Sequence, residues 1–97
     1  MKVYNLENNN GNKVRNQFEI FDDCDNKFFQ SYDAVIVKIE NCRHGDFGEI
    51  TRKIYLDERY WNYSKTTSKY RNMFLNEDTK QTERKIKEGV YTLTNLN

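Results

Sequence analysis

Up to Leu56 the apolar residues of this chain tend to recur at every second position, and from Asp57 onward they recur every three to four. Alternation suits a half-buried strand and the longer spacing suits an amphipathic helix, so the chain must build a sheet first and lay helices against it afterwards. Val3 to Leu6 reads as a short strand. The Asn10-Gly11 pair in the polar run that follows is the strongest short hairpin cue. In Val14 to Phe21, Val14, Phe18 and Ile20 share one face, with Arg15, Gln17 and Glu19 on the other. Asp22 to Asn26 is a turn, because short polar side chains there can bond their own backbone.

Lys27 to Tyr32 and Ala34 to Glu40 continue the sheet. Val35, Ile36, Val37 and Ile39 make the most apolar run of the chain, and its β-branched content favours a central strand over a short helix. Asn41 to Gly48 is a loop with two glycines. Glu49 to Leu56 alternates again, with Ile50, Ile54 and Leu56 inward. Asp57 can cap a first turn through Tyr60, and Ser64 can cap a longer helix reaching about Asn76. Tyr63, Thr67, Tyr70 and Phe74 fall on one helical stripe, with Met73 beside it. A shorter helix from Thr79 to Glu88 stops at Gly89, a residue suited to a left-handed helix end. Val90 to Leu96 closes the sheet. The expected order is βββββααβ: an α+β fold with an antiparallel sheet of five to six strands, one main helix and one short helix.

The chain has 97 residues, 36% of them hydrophobic and 32% charged, so it makes one domain, 1–97, with a compact core in which aromatics supply much of the buried area. No run approaches the roughly 20 apolar residues that span a bilayer. Nor is there an apolar signal-peptide core near the N-terminus, so the chain is expected in the cytoplasm of its cell. In that compartment Cys24 and Cys42 are expected as thiols. The net charge of +1 hides an asymmetry: residues 1–58 carry eight Lys/Arg against eleven Asp/Glu, and residues 59–97 carry eight against four.

The stretch Arg59 to Arg71 holds four positive charges, no acid and four aromatics. Arg59, Trp61, Lys65, Ser68, Lys69, Arg71 and Asn72 are the candidate binding residues. Their types reach phosphates, and the aromatic rings of the stretch can stack on unpaired bases. A second reading is equally physical: the rings wall the helix against the sheet and the lysines are simply solvated. Catalysis finds little footing, since His44 has no recognisable nucleophile partner and no Gly-rich phosphate loop is present. Asp57-Glu58 serve better as helix-start residues than as an acid–base pair. Cys24, Cys42, His44 and Asp46 offer ligand chemistry for zinc but no closed-site spacing. The acidic turn at Asp22 lacks the central glycine and final glutamate of a calcium loop. No metal and no cofactor are expected.

Phe28-Phe29-Gln30-Ser31-Tyr32, Val35 to Ile39, Tyr60-Trp61-Asn62-Tyr63-Ser64, Thr66 to Asn72, Thr82 to Lys87 and Gly89 to Asn97 together resemble a family of small proteins of unknown function. Such proteins are encoded by phages and mobile elements of low-GC bacteria, and the resemblance runs from about Asn16 to Asn97. It implies no catalytic residues. It implies a setting in the bacterial host cell, where small phage proteins inhibit host defence, anti-CRISPR proteins among them, by occupying a surface of a Cas-type effector. The acidic residues Glu19, Asp22, Asp23, Asp25, Asp33, Glu40 and Asp46 can face the basic channel of such a partner. The alternative is a small nucleic-acid-binding regulator using residues 59–71. An exposed sheet edge also allows a homodimer.

Overall fold

The computed structural model describes the backbone of residues 1–44 and 49–97 and the side chains of residues 1–41 and 52–97. Five strands, β1 (Lys2–Glu7), β2 (Lys13–Phe21), β3 (Lys27–Ser31), β4 (Ala34–His44) and β5 (Glu49–Asp57), run as an antiparallel meander. Two helices, α1 (Lys65–Leu75) and α2 (Thr79–Lys87), lead to β6 (Tyr91–Thr94). The sheet order is β1-β2-β3-β4-β5-β6, and β6 lies parallel to β5. That departs from an all-antiparallel sheet for a simple reason. A chain that leaves β5 and crosses back through two helices returns at the end where β5 began, so its next strand must run the same way.

The turns follow from their polar residues. The Asn8 side chain accepts from the N–H groups of Asn10 and Asn12, and Gly11 takes a φ of 76°. Asp22 Oδ1 accepts from the N–H groups of Cys24 and Asn26, with Asp25 in the left-handed region. Both are side-chain mimics of a backbone turn.

The core is Phe29, Ile36, Val37, Ile39, Leu56 and Tyr91, with Tyr70, Phe74, Leu75 and Ile86 of the helices packed on it. Val37 lies between Phe29 and Leu56, and Ile39 pairs with Ile54. Between Phe29/Val37 and Gln30/Val35 the register slips by one, leaving Ile36 as the extra residue. This bulge lets Ile36 and Val37, neighbours in sequence, both bury themselves beneath the helices.

In β2 the alternation is as expected, but the covered face is the polar one. Gln17 pairs with Ser31 and Glu19 with Phe29, which puts both on the helix side. Gln17 is 1% exposed, and neither of its amide atoms has a hydrogen-bond partner among the described residues. Glu19 meets Lys27 at 2.7 Å, and the Lys27 ammonium sits 4.9 Å from the centre of the Phe74 ring. Phe18, Ile20 and Phe28 take the opposite face, half-buried. Removing an unpaired buried amide while keeping its shape should help. Gln17→Met is therefore expected to raise stability by about 1 kcal/mol in urea melts.

Ser64 caps α1 by accepting from Thr67 N at 3.1 Å, and Asn76, left-handed at φ 56°, closes it. Asp78 and Gln81 form a reciprocal capping box at the start of α2, and Gly89 at φ 75° follows its end. Between the helices Glu77 accepts from Lys85 (2.7 Å), Thr82 (2.6 Å) and the Tyr91 hydroxyl (2.6 Å). Burial pushes the Glu77 carboxyl up, but those bonds outweigh it and hold it below its ordinary value.

Asp57 ends β5 and is 1% exposed. Its Oδ2 accepts from the N–H groups of Arg59 and Tyr60, each at 3.0 Å. Its Oδ1 accepts from Leu96 N at 2.8 Å and Asn97 Nδ2 at 3.0 Å. Burial alone would raise this carboxyl; the bonds from Leu96, Asn97, Arg59 and Tyr60 leave it lowered. A folded-state pKa below the unfolded one gives stability that is full above the ordinary value and lost as pH falls through the folded value. Stability should therefore decline as pH drops below the ordinary values of 4.5 for Glu77 and 3.8 for Asp57. Asp57→Ala should cost about 3 kcal/mol at neutral pH. The same variant should flatten the acid limb, as thermal melts at several pH values would reveal.

Candidate functional site

The basic–aromatic stretch divides between interior and surface. Arg71 is 0% exposed. Its Nη1 donates to the Trp61 carbonyl, and its Nη2 to Asn72 Oδ1 and Thr79 Oγ1, each at 3.0 Å. The guanidinium lies 5.3 Å from the centre of the Trp61 ring. Asn72 adds a bond from its own amide to Thr79 at 3.2 Å. These residues clamp the turn after β5, α1 and the start of α2 together, so Arg71 has no face to offer a phosphate. Burial pulls its pKa down, opposed by the charges of Glu77 and Glu83, and it stays a cation. Ser68 donates to Asn62 Oδ1 at 2.9 Å. Of the seven candidates, Arg59, Lys65 and Lys69 are exposed, with the Lys69 ammonium 5.3 Å from the Tyr70 ring centre.

The stripe expected on α1 is also re-sorted. Thr67 and Arg71 are buried, Tyr70 and Phe74 half-buried, and Met73 turns outward. Tyr63 precedes the helix and is 70% exposed. Its displacement from the core opens the feature that the sequence reading missed.

A cleft of about 470 Å³ lies where the N-terminus of α1 meets the β3–β4 turn. Tyr32, Asp33, Tyr63 and Ser64 line its exposed rim, Tyr60 is half-buried in its wall, and Ser31, Ile36 and Thr67 line it deeper. Each wall has a local cause. Tyr32 adopts φ 55°, held by its N–H bond to Asn16 O at 2.6 Å, and stands 53% exposed. Asp57 sets the turn that carries Tyr60, whose ring meets Tyr63 edge-on at 5.5 Å between centres.

The serine and threonine hydroxyls in the cleft are already committed. Ser31 and Thr67 bond each other at 3.0 Å, and Ser64 caps α1. Asn97 spends its amide on Val35 and Asp57. What remains is a surface of tyrosine rings and one carboxylate, an arrangement suited to holding a side chain. A smaller hollow of about 220 Å³ lies between Trp61, Glu83, Ile86 and Lys87.

Among the described residues no group of three or more His, Cys, Asp or Glu is placed to hold a metal ion. Cys24 is an exposed free thiol. The side chains of Cys42 and His44, and Asp46, lie outside the described residues. Among the described residues no helix is long and apolar enough to cross a membrane.

The model of a family of unknown function, DUF8033, matches residues 1–89. The chain belongs to that family. The match starts at Met1, earlier than the resemblance noted above, and it takes in β1 to β5 and both helices while stopping short of β6. It therefore includes Tyr32, Asp33, Tyr60 and Tyr63 of the cleft but not Asn97. No curated protein and no solved structure matches the chain.

The clamp and the surface lysines should respond differently to substitution. Arg71→Ala leaves buried acceptors unpaired and a void beside Trp61, and should cost about 3 kcal/mol. Lys65→Ala and Lys69→Ala should stay within about 0.5 kcal/mol of the parent. Chemical denaturation of the three variants checks this directly.

Proposed function

We propose that this DUF8033 chain is a non-catalytic binding protein that engages a protein partner through the tyrosine cleft. Its partner is a bacterial defence effector of the Cas type. Its setting is that of small phage-encoded inhibitors acting in the host cytoplasm. What supports the mode of action is the exposure of Tyr32 and Tyr63, at 53% and 70%, beside a concave surface whose serine and threonine hydroxyls are used internally. Large rigid aromatics bring much contact area at little entropic cost, and they supply many of the residues that dominate protein interfaces. The phage setting rests on the resemblance of the Tyr60 to Asn72 stretch.

The loss of Arg71 to the interior weighs against the rival nucleic-acid reading, because it leaves Arg59, Lys65 and Lys69 as the exposed cations of that stretch. A footprint that small gives little counterion release.

A purified Cas-type effector from a low-GC bacterium should co-elute with the chain, burying about 1,200 Å² or more. Expression of the chain should relieve plasmid interference by that effector. The double variant Tyr32→Ala/Tyr63→Ala, still folded by circular dichroism, should bind at least about tenfold more weakly. Unchanged interference, or a double variant that binds as well as the parent, would overturn the proposal. Salt-sensitive retention of labelled DNA or RNA, abolished in Lys65→Glu/Lys69→Glu, would instead favour the nucleic-acid regulator.

A further inference from the structure

We propose that the side chain received by the cleft is an arginine of the partner protein. This rests on the protein-binding reading above and names the chemistry of its contact. Three tyrosines, Tyr32, Tyr60 and Tyr63, line the cleft together with Asp33. The negative faces of aromatic rings attract a cation placed over them, and a planar guanidinium can also stack on them. Asp33 supplies the counter-charge. It is exposed in the β3–β4 turn, and among the described residues its carboxylate has no hydrogen bond or ion pair. An arginine reaching past Tyr32 can present its forked N–H groups to that carboxylate while its plane lies against a ring. A lysine would offer a point charge without the plane or the fork.

An anion fits less well, although the start of α1 borders the cleft. The Thr67 N–H, which a helix N-terminus would otherwise offer, is already taken by Ser64. Asn97, the amide of the lining, donates to Val35 O and Asp57 Oδ1. A phosphate or carboxylate there would face the Asp33 charge, and no Lys, Arg or His among the described residues lines the cleft to offset it. A purely apolar side chain would cover Asp33 without pairing it, and burying an unpaired carboxylate is costly.

The probe is the blocked tripeptide acetyl-Gly-Arg-Gly-amide, titrated into the ¹⁵N-labelled full chain. Saturable shifts are expected at the amides of Tyr32, Asp33, Tyr63 and Ser64, with millimolar affinity. The citrulline tripeptide has the same shape without the charge and should bind about fivefold more weakly or worse. Asp33→Asn should weaken the arginine peptide about threefold or more and leave the citrulline peptide unchanged. Tyr63→Ala, at a largely exposed position, should weaken the arginine peptide without unfolding the chain.

Equal binding of the arginine and citrulline peptides, shifts scattered away from the cleft, a lysine peptide that matches arginine, or an Asp33→Asn variant that binds normally would each overturn the proposal. Its failure is separable from that of the protein-binding reading. If the peptide does not bind but effector co-elution still depends on Tyr32 and Tyr63, only the arginine assignment falls. If the peptide binds through Asp33 and no effector co-elutes, the cleft chemistry stands and the choice of partner falls.

Discussion

The carboxylate of Asp57 joins the sheet to everything that follows it. A charge with 1% exposure survives only when its lone pairs are filled, and here four donors from two distant stretches of chain fill them. The donors of Arg59 and Tyr60 fold the chain out of β5 into the turn that leads to α1. Those of Leu96 and Asn97 bring the far end of the chain back to the same point. Asn97 then reaches both the N–H and the carbonyl of Val35, at 2.7 and 2.9 Å. Three segments are thereby indexed to one group, and all three contribute to the lining of the tyrosine cleft.

Arg71 performs the matching task on the helix side, with an opposite charge and a different solution. Among the described residues no carboxylate bonds it; its Nη donors go to a carbonyl, an amide oxygen and a hydroxyl, its Nε has no partner there, and Glu77 and Glu83 compensate it from further off. A forked donor set can hold the turn after β5, α1 and α2 at once, which lysine could not do. A cation surrounded by aromatics in sequence looks the same whether it faces a phosphate or a tryptophan. What separated the two outcomes was the phase of α1: a helix starting at Lys65 puts Thr67 and Arg71 on the same side as Phe74, and that side is the one the sheet covers.

The order and type of elements were legible because each boundary carries its own chemistry: the Asn8 and Asp22 turns, the Ser64 cap, the left-handed ends at Asn76 and Gly89. Which face of β2 would be covered was not legible. Alternation fixes that residues 17, 19 and 21 share a side, but not which side meets the helices, and register with β3 decides that. Here Phe29 and Ser31 pull Gln17 and Glu19 inward with them. The bulge at Ile36 was hidden for a related reason, since a run of apolar residues does not say where the pleat is broken. The parallel course of β6 is a property of the crossover and not of its residues. The cleft escaped notice because Tyr63 was assigned to the helical stripe, and because nothing in the pair Tyr32-Asp33 announces a left-handed turn.

The acidic excess of the first part of the chain has less reach in three dimensions than it has on paper. Most of the acids of the first part are occupied by local work. Asp22 holds its own turn, Asp23 meets the N-terminal amine at 3.1 Å, Glu19 pairs with Lys27, Asp25 and Glu40 have partners, and Asp57 is buried. The basic part keeps its excess: Arg71 sits in the clamp and Lys85 on Glu77, but Arg59, Lys65, Lys69, Lys80, Arg84 and Lys87 are exposed. Fields from the paired charges cancel over short distances and are screened beyond about 8 Å at physiological salt. A partner approaching the first part of the chain therefore meets particular groups more than an acidic face. Asp33, which lines the cleft with three tyrosines, is such a group, because nothing within the described chain neutralises it and the surfaces of that cleft are ones that a cation can use.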